Sequence, residues 1–485
     1  MTVELLKKRS FAADWLALTR ASNLPTILTD AHVGIAMGIL ACAMARVGAP
    51  DQPLLLAATM AGMCSFYMAG MVLNGIVDRR IDAKERPDRP IASGRIRLPW
   101  AWTAFILLMT AGFFLRPSFG AAPVPIAVAG IIGVWTLSAA NSMRSITLKR
   151  LAQGWCAIAV VAAIWWMVDS LLRDPFDLAQ FPAETALQIR ANHFALEGTT
   201  MLLAASLVVY NLVHAKTAWS IVLLALCRAL VPVSLALAAA VSTGAVGSLI
   251  SQINSMGSAG FSSEVFALVL VLAGGPLAIA IHTIVLSFVA RREVADDATS
   301  YRCAKCGYAL GGAADSSGVR PSSAEAGRCS ECGCDFATTA PLGERDLSRR
   351  SKIASAFIAP LGIIPIFVLV APALILILRQ PPIPLPAAGS THDILGFAVP
   401  APVYMGVATL LLLVCSVWFG LAATRGYRAA ISHASRRPAG VGAMIAAFAL
   451  LDAAAVVAYG APELALICIA LWFATRALQR VIPAS

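Results

Sequence analysis

Residues Met71 to Ile96 read MVLNGIVDRRIDAKERPDRPIASGRI, and within them an apolar run gives way to charge. Asn74, Asp78 and Asp82 recur at every fourth position. On an α-helix each such step rises about 6 Å and turns by only about 40°, so the spacing predicts three oxygen-bearing side chains on one face. The preceding apolar run predicts that this face emerges where a membrane helix meets water. Acids are costly near a bilayer and tend to be functional there. Two carboxylates and an amide suit magnesium, which takes one or two protein carboxylates and leaves positions for water and substrate phosphate. Arg79, Arg80, Lys84, Arg86, Arg89, Arg95 and Arg97 surround the acids. Such cations are donors for phosphate oxygens, although positive charge beside a membrane helix also serves simply to set topology. The stretch as a whole describes a diphosphate site at a membrane surface.

The rest of the chain supplies the membrane. Of 485 residues, 59% are hydrophobic and 13% charged, with a mean hydropathy of +0.78, which excludes an ordinary soluble globule. Apolar runs long enough to cross about 30 Å of hydrocarbon recur along nearly the whole length, predicting an all-α, multi-pass bundle of about 11–12 transmembrane helices. The formal charge of +11 falls in short loops between spans, so topology explains it without a nucleic-acid partner. The first spans are expected near 26–47 and 54–77. Others are expected near 100–115, 122–140, 152–172, 196–213, 220–242 and 265–290, and then near 353–378, 400–424, 441–458 and 464–477. No small-residue cleavage site follows the first run, which therefore reads as a span. Positive-inside counting puts the N-terminus and the acid ladder in the cytoplasm, and the loop 173–195 outside. Asp452, within an apolar run, is expected to face the bundle interior.

The pattern N-x-x-x-D-x-x-x-D followed by KERPDRPIASGRI resembles the first aspartate-rich motif and following loop of the UbiA superfamily of intramembrane prenyltransferases. One departure is plain: the family usually has Asp directly after the Asn, and here that residue is Gly75. The resemblance implies transfer of an isoprenyl group from a prenyl diphosphate to a lipophilic or aromatic acceptor, with Asn74, Asp78 and Asp82 holding Mg2+. It implies that Arg89, Lys216 and Arg228 neutralise the leaving group. The segment Arg20 to Thr26 resembles the family's entry segment, which places Asn23 near the acceptor. Tyr210 to Lys216 resembles a tyrosine-lysine loop of the family. A second aspartate-rich motif is expected after residue 290, and Glu293, Asp296 and Asp297 are its remnant, with a second magnesium as their implied role. Aromatic candidates for shielding an allylic cation are Tyr67, Trp165, Trp166 and Tyr210. The alternative from another class is a non-catalytic transporter or lipid-binding scaffold on the same fold, for which Gly75 and the eroded second motif speak.

Five of eleven cysteines cluster between Cys303 and Cys334. Cys303-x-x-Cys306-Gly307 and Cys329-x-x-Cys332-Gly333 form two knuckles whose four thiolates suit tetrahedral, structural Zn2+, with Gly allowing each tight turn. The expected organisation is thus a transmembrane part at 1–297, a cytoplasmic zinc-ribbon insert at 298–352 and a second transmembrane part at 353–485. A four-sulfur site has no open position for water, so the ribbon is expected to cap the site mouth or dock a protein partner. Bacterial membrane proteins with appended ribbons resemble this arrangement, which implies the bacterial cytoplasmic membrane as the location.

Overall fold

The structure, a computed structural model, describes residues 10–45, 47–48, 52–115, 123–142, 146–172, 183–214, 219–243, 263–299, 364–370, 391–394, 397–432 and 437–482. A short helix, α1 (Phe11–Leu18), is capped by the Ser10 hydroxyl, which accepts from Ala13 N–H at 3.2 Å. A 3-10 turn over Ala21–Asn23 leads into α2 (Leu24–Ala45). The helices α3 (Pro53–Val77) and α4 (Arg79–Glu85) carry the acid ladder, and α5 (Leu98–Phe114), α6 (Pro123–Ser142) and α7 (Ile146–Leu172) follow. Then come α8 (Ala183–Val213), α9 (Ser220–Thr243) and α10 (Ser263–Thr299). After a hairpin, α11 (Ala401–Ser432), α12 (Arg437–Ala458) and α13 (Pro462–Val481) complete the chain.

Among the described residues ten helices are long and apolar enough to cross a membrane, and α5, with 17 residues, is a shorter apolar helix beside them. The most enclosed is α12, with 78% of its apolar window buried. Its Phe448, Leu450 and Leu451 pack with Val33 and Met37 of α2, Ile279 of α10 and Phe419 of α11. A second core joins Ile27 of α2, Met63 and Phe66 of α3, Leu207 of α8 and Leu235 of α9. A third, smaller core holds Leu18, Val72, Ile76, Ile91 and Ile96 beneath the acid ladder. By contrast α6, α7 and α11 expose large apolar side chains such as Ile132, Ile158, Trp165 and Leu410. Water would not tolerate such faces on a monomer, whereas hydrocarbon does.

Three expectations need correction. Residues 183–195, expected in an outer loop, are the first turns of α8; polar side chains do not prevent a helix where Ala, Glu, Gln and Leu recur. Residues 291–299, expected as a loop, continue α10, so Glu293, Asp296 and Asp297 lie on its last turns. The ladder does not ride one unbroken helix, because α3 ends at Val77 and α4 begins at Arg79. Asp78 is the joint, at φ −77° and ψ −4°. It keeps the four-residue step nonetheless: Asp78 N–H donates to Asn74 O at 2.9 Å and Asp82 N–H to Asp78 O at 2.8 Å. One small sheet was not foreseen. Strands β1 (Thr391–Ile394) and β2 (Phe397–Pro400) pair antiparallel, Thr391 with Pro400 and Ile394 with Phe397. Of the span expected at 353–378, residues 364–370 are helical and the others lie outside the described residues, as do Lys216 and the four knuckle cysteines.

Helices α2 and α9 cross at Gly34, where a Cβ would stand 2.3 Å from Pro232 O and 2.5 Å from Leu235 Cβ. The backbone oxygen cannot move aside, so Gly34→Ala forces the helices apart. Overpacking of this kind costs about 1–3 kcal/mol, and the variant is expected to show a lowered Tm in detergent while inserting normally. An unchanged Tm would show that the two helices do not meet this closely.

Candidate active site

The loop after α4 folds back over the ladder because its charges find partners there. Arg89 Nη1 donates to both oxygens of Asp82 at 2.9 Å, and Asp82 is 4% exposed. Arg95 Nε donates to both oxygens of Asp14 on α1 at 2.9 Å, while its Nη2 donates to Asp88 O at 2.7 Å. Pairs this enclosed hold geometry better than exposed ones, which contribute little. The result is a polar pocket of about 370 Å³ lined by Arg20, Asn74, Asp82, Arg86, Arg89 and Leu18, among others.

Asp78 is held from two sides. Asn74 Nδ2 donates to its Oδ2 at 3.0 Å, and His214 Nε2 lies 3.1 Å from its carboxylate. His214 Nδ1 lies 2.9 Å from the Asn211 carbonyl oxygen, so both ring nitrogens face acceptors. The imidazole also stacks against Tyr210, with ring centroids 5.4 Å apart. The residue facing Asp78 from across the bundle is therefore a histidine at the end of α8. The side chains of Glu293, Asp296 and Asp297 lie outside the described residues.

Gly75 has a packing reason. A Cβ there would sit 2.8 Å from Leu18 Cδ1 and 3.2 Å from Ile91 Cδ1, so α1 occupies the space that an acid would need. Two residues beyond Leu18, Arg20 has φ 47° and ψ 49°, the one positive-φ residue other than glycine among the described residues. A left-handed backbone costs an L-residue about 1–2 kcal/mol; here it turns the guanidinium into the pocket wall. Burial lowers the Arg20 pKa below its ordinary value, with Tyr67 and Tyr210 acting against that and Arg89 and Arg86 adding to it.

The other expected residues divide. Asn23 is buried, at the end of the 3-10 turn that leads into α2. Arg228 is not in the pocket lining; its Nε is 2.9 Å from Asp30 Oδ2, one layer deeper in the bundle. Trp165 is 72% exposed on the outer face of α7. Trp166 packs edge-to-face on Phe113 at 5.4 Å and lines a second cavity, about 630 Å³ and almost wholly apolar, among Trp102, Phe105, Met109, Ile126 and Val134. Sequence reasoning missed His214 and the role of Arg20. The Tyr210–Lys216 stretch was singled out, and His214 lies within it.

Among the described residues no group of three or more His, Cys, Asp or Glu side chains converges on one point. The donor set still fits magnesium by its chemistry, an amide and two carboxylates at four-residue steps, with Asn74 and Asp82 lining the pocket. Such an ion asks for one or two carboxylates, the balance being water and phosphate oxygen.

Residues 35–175, which span most of α2 through α7 and include the whole ladder, match the UbiA prenyltransferase family. A 96-residue stretch is 42% identical to the bacteriochlorophyll synthase 33 kDa chain of Cereibacter sphaeroides. It covers 18% of this chain and 28% of that protein's length. No solved structure matches the chain. The part of the chain that resembles the UbiA prenyltransferase family is thus the part that carries the ladder and its basic loop, and the chain spans about a quarter of the curated relative's length.

Proposed function

We propose that the chain transfers an isoprenyl group from a prenyl diphosphate to a lipophilic acceptor, with magnesium, at the membrane end that carries the ladder. The observation that carries this reading is the pocket itself: Asp82 and Asn74 share it with Arg20, Arg86 and Arg89. Asn74, Asp78 and Asp82 hold the metal in this reading. Bound there, magnesium supplies Lewis-acid stabilisation of a departing diphosphate. Arg20 and Arg89 donate to the remaining phosphate oxygens, Arg89 by turning from Asp82, and such preset donors stabilise charge as it develops. Lys216 is assigned the same role on the sequence resemblance alone. Arg228 keeps its Asp30 partner and acts through its charge at longer range. Asn23 with Tyr67 borders the acceptor, and Tyr67 and Tyr210 offer the aromatic faces. The apolar cavity beside α5 has the size and lining to house hydrocarbon. The remaining acids, Glu293, Asp296 and Asp297, are assigned to a second magnesium.

The N-terminus, the ladder and the insert 298–352 are assigned to the cytoplasmic face of a bacterial inner membrane, on the loop charges. Cys303, Cys306, Cys329 and Cys332 are assigned to structural zinc on their spacing. One observation favours the rival, non-catalytic transporter or lipid-binding scaffold: Arg89 already satisfies both oxygens of Asp82.

Titration of the purified chain with farnesyl diphosphate separates the readings. Asp78→Ala and Asp82→Ala should each abolish the magnesium-dependent part of binding and leave membrane insertion intact; binding unchanged in both would remove the enzyme. Gly75→Asp alone should be poorly tolerated because Leu18 blocks it, whereas Gly75→Asp with Leu18→Ala should fold and bind magnesium more tightly by calorimetry. A double variant with no gain would separate Gly75 from metal affinity. Cys303→Ser with Cys329→Ser should lose the chain's zinc in elemental analysis, and retained zinc would refute the knuckle assignment.

A further inference from the structure

Deeper in the bundle, away from the ladder, three ionisable side chains meet: Asp30 on α2, Arg228 on α9 and Asp452 on α12. Both acids are 0% exposed. Arg228 Nε stands 2.9 Å from Asp30 Oδ2, its Nη2 donates to Thr26 O at 3.2 Å, and its guanidinium lies 3.4 Å over the Phe448 ring. Asp452 Oδ2 accepts from the Thr29 hydroxyl. Thr29 and Asp30 are consecutive on α2, and Phe448, under the guanidinium, is one turn before Asp452 on α12, so the two carboxyl groups face one centre. The other titratable side chains facing the centre are His282 on α10, with Nε2 3.0 Å from Met444 O, Cys468 on α13, and Tyr67 on α3.

Two facing carboxylates are both acceptors, and nothing bonds them unless a proton lies between. Among the described residues no donor reaches Asp30 Oδ1 or Asp452 Oδ1, although both are buried. Arg228 brings one positive charge. With both acids ionised the centre would carry an uncompensated negative charge out of reach of water, which a protein interior does not sustain. Two acids crowded at one buried centre with a single cation instead keep one proton between them.

We infer that Asp30 and Asp452 share one bound proton, which makes Asp30–Arg228–Asp452 a neutral proton-holding site joining α2, α9 and α12. A neutral centre leaves no excess negative charge behind a pocket lined by arginines.

Infrared spectra of the full chain in detergent near neutral pH should contain the C=O stretch of a protonated carboxylic acid that shifts on exchange into heavy water. In Asp452→Asn the amide donates to Asp30 in the proton's stead, so the native-minus-variant difference spectrum should show that band lost while helicity is kept. Arg228→Gln removes the compensating charge and should let both acids protonate, raising the band about twofold. A native spectrum without the band, or a band of undiminished intensity in Asp452→Asn, overturns the proposal; should Arg228→Gln not fold, the Asp452→Asn difference alone decides.

Discussion

A charge taken away from water must bring its counter-charge with it, and in this bundle that requirement decides which segments are neighbours. Helices in hydrocarbon gain little from hydrophobic attraction to one another, because the lipid is as apolar as they are. Polar pairs therefore specify what apolar contact leaves open. Asp14 with Arg95 docks α1 against the loop after α4. Asp82 with Arg89 folds that loop back on the ladder. Asp78 with His214 brings the end of α8 to the joint between α3 and α4. Asp30 with Arg228 sets α2 against α9 at the level where Phe448 of α12 covers the guanidinium.

These pairings make the candidate site a place where partners can be exchanged. Asp82 already faces a cation of the chain, Arg89, and Asp78 faces the His214 imidazole. A diphosphate arriving with a divalent cation would offer negative charge to Arg89 and positive charge to Asp82, so neither side chain would be stranded during the exchange. A stranded buried charge is what makes breaking such a pair expensive. On the proposed function, the loop 86–97 would keep its fold through that exchange.

What could be read beforehand follows the range of the interactions. Spans are local sums of hydropathy, and ten of the twelve expected have their apolar windows at or near the foreseen positions. The ladder's period was legible because Asn74, Asp78 and Asp82 lie within two turns. Its break at Asp78 was not, since nothing in the local spacing distinguishes a joint from a continuous helix. Asp452 could be flagged as facing inward, but its partner Thr29 is 423 residues away in the chain. Arg228 was placed in the pocket because family pattern carries the residue and not its counter-ion; Asp30, which holds it, gives no sign of that role in the sequence of α2. The polar stretch 183–195 was assigned to a loop by charge, although its residues favour a helix.

Gly75 shows how a local loss and a distant gain can be a single feature. Taken alone it is a missing carboxylate, one ligand fewer for a cation. In the fold it is the notch that receives Leu18, and Leu18 ends the helix whose other anchor is the Asp14–Arg95 pair. Arg20 comes two residues later, and its left-handed backbone depends on where that helix stops. A side chain at position 75 would push α1 outward and draw Arg20 with it. The chain thus has a guanidinium in the pocket because it lacks a carboxylate beside Asn74. The electrostatic balance of the pocket is thereby moved toward positive charge, and a guanidinium is the side chain whose planar fork best suits a bidentate anion.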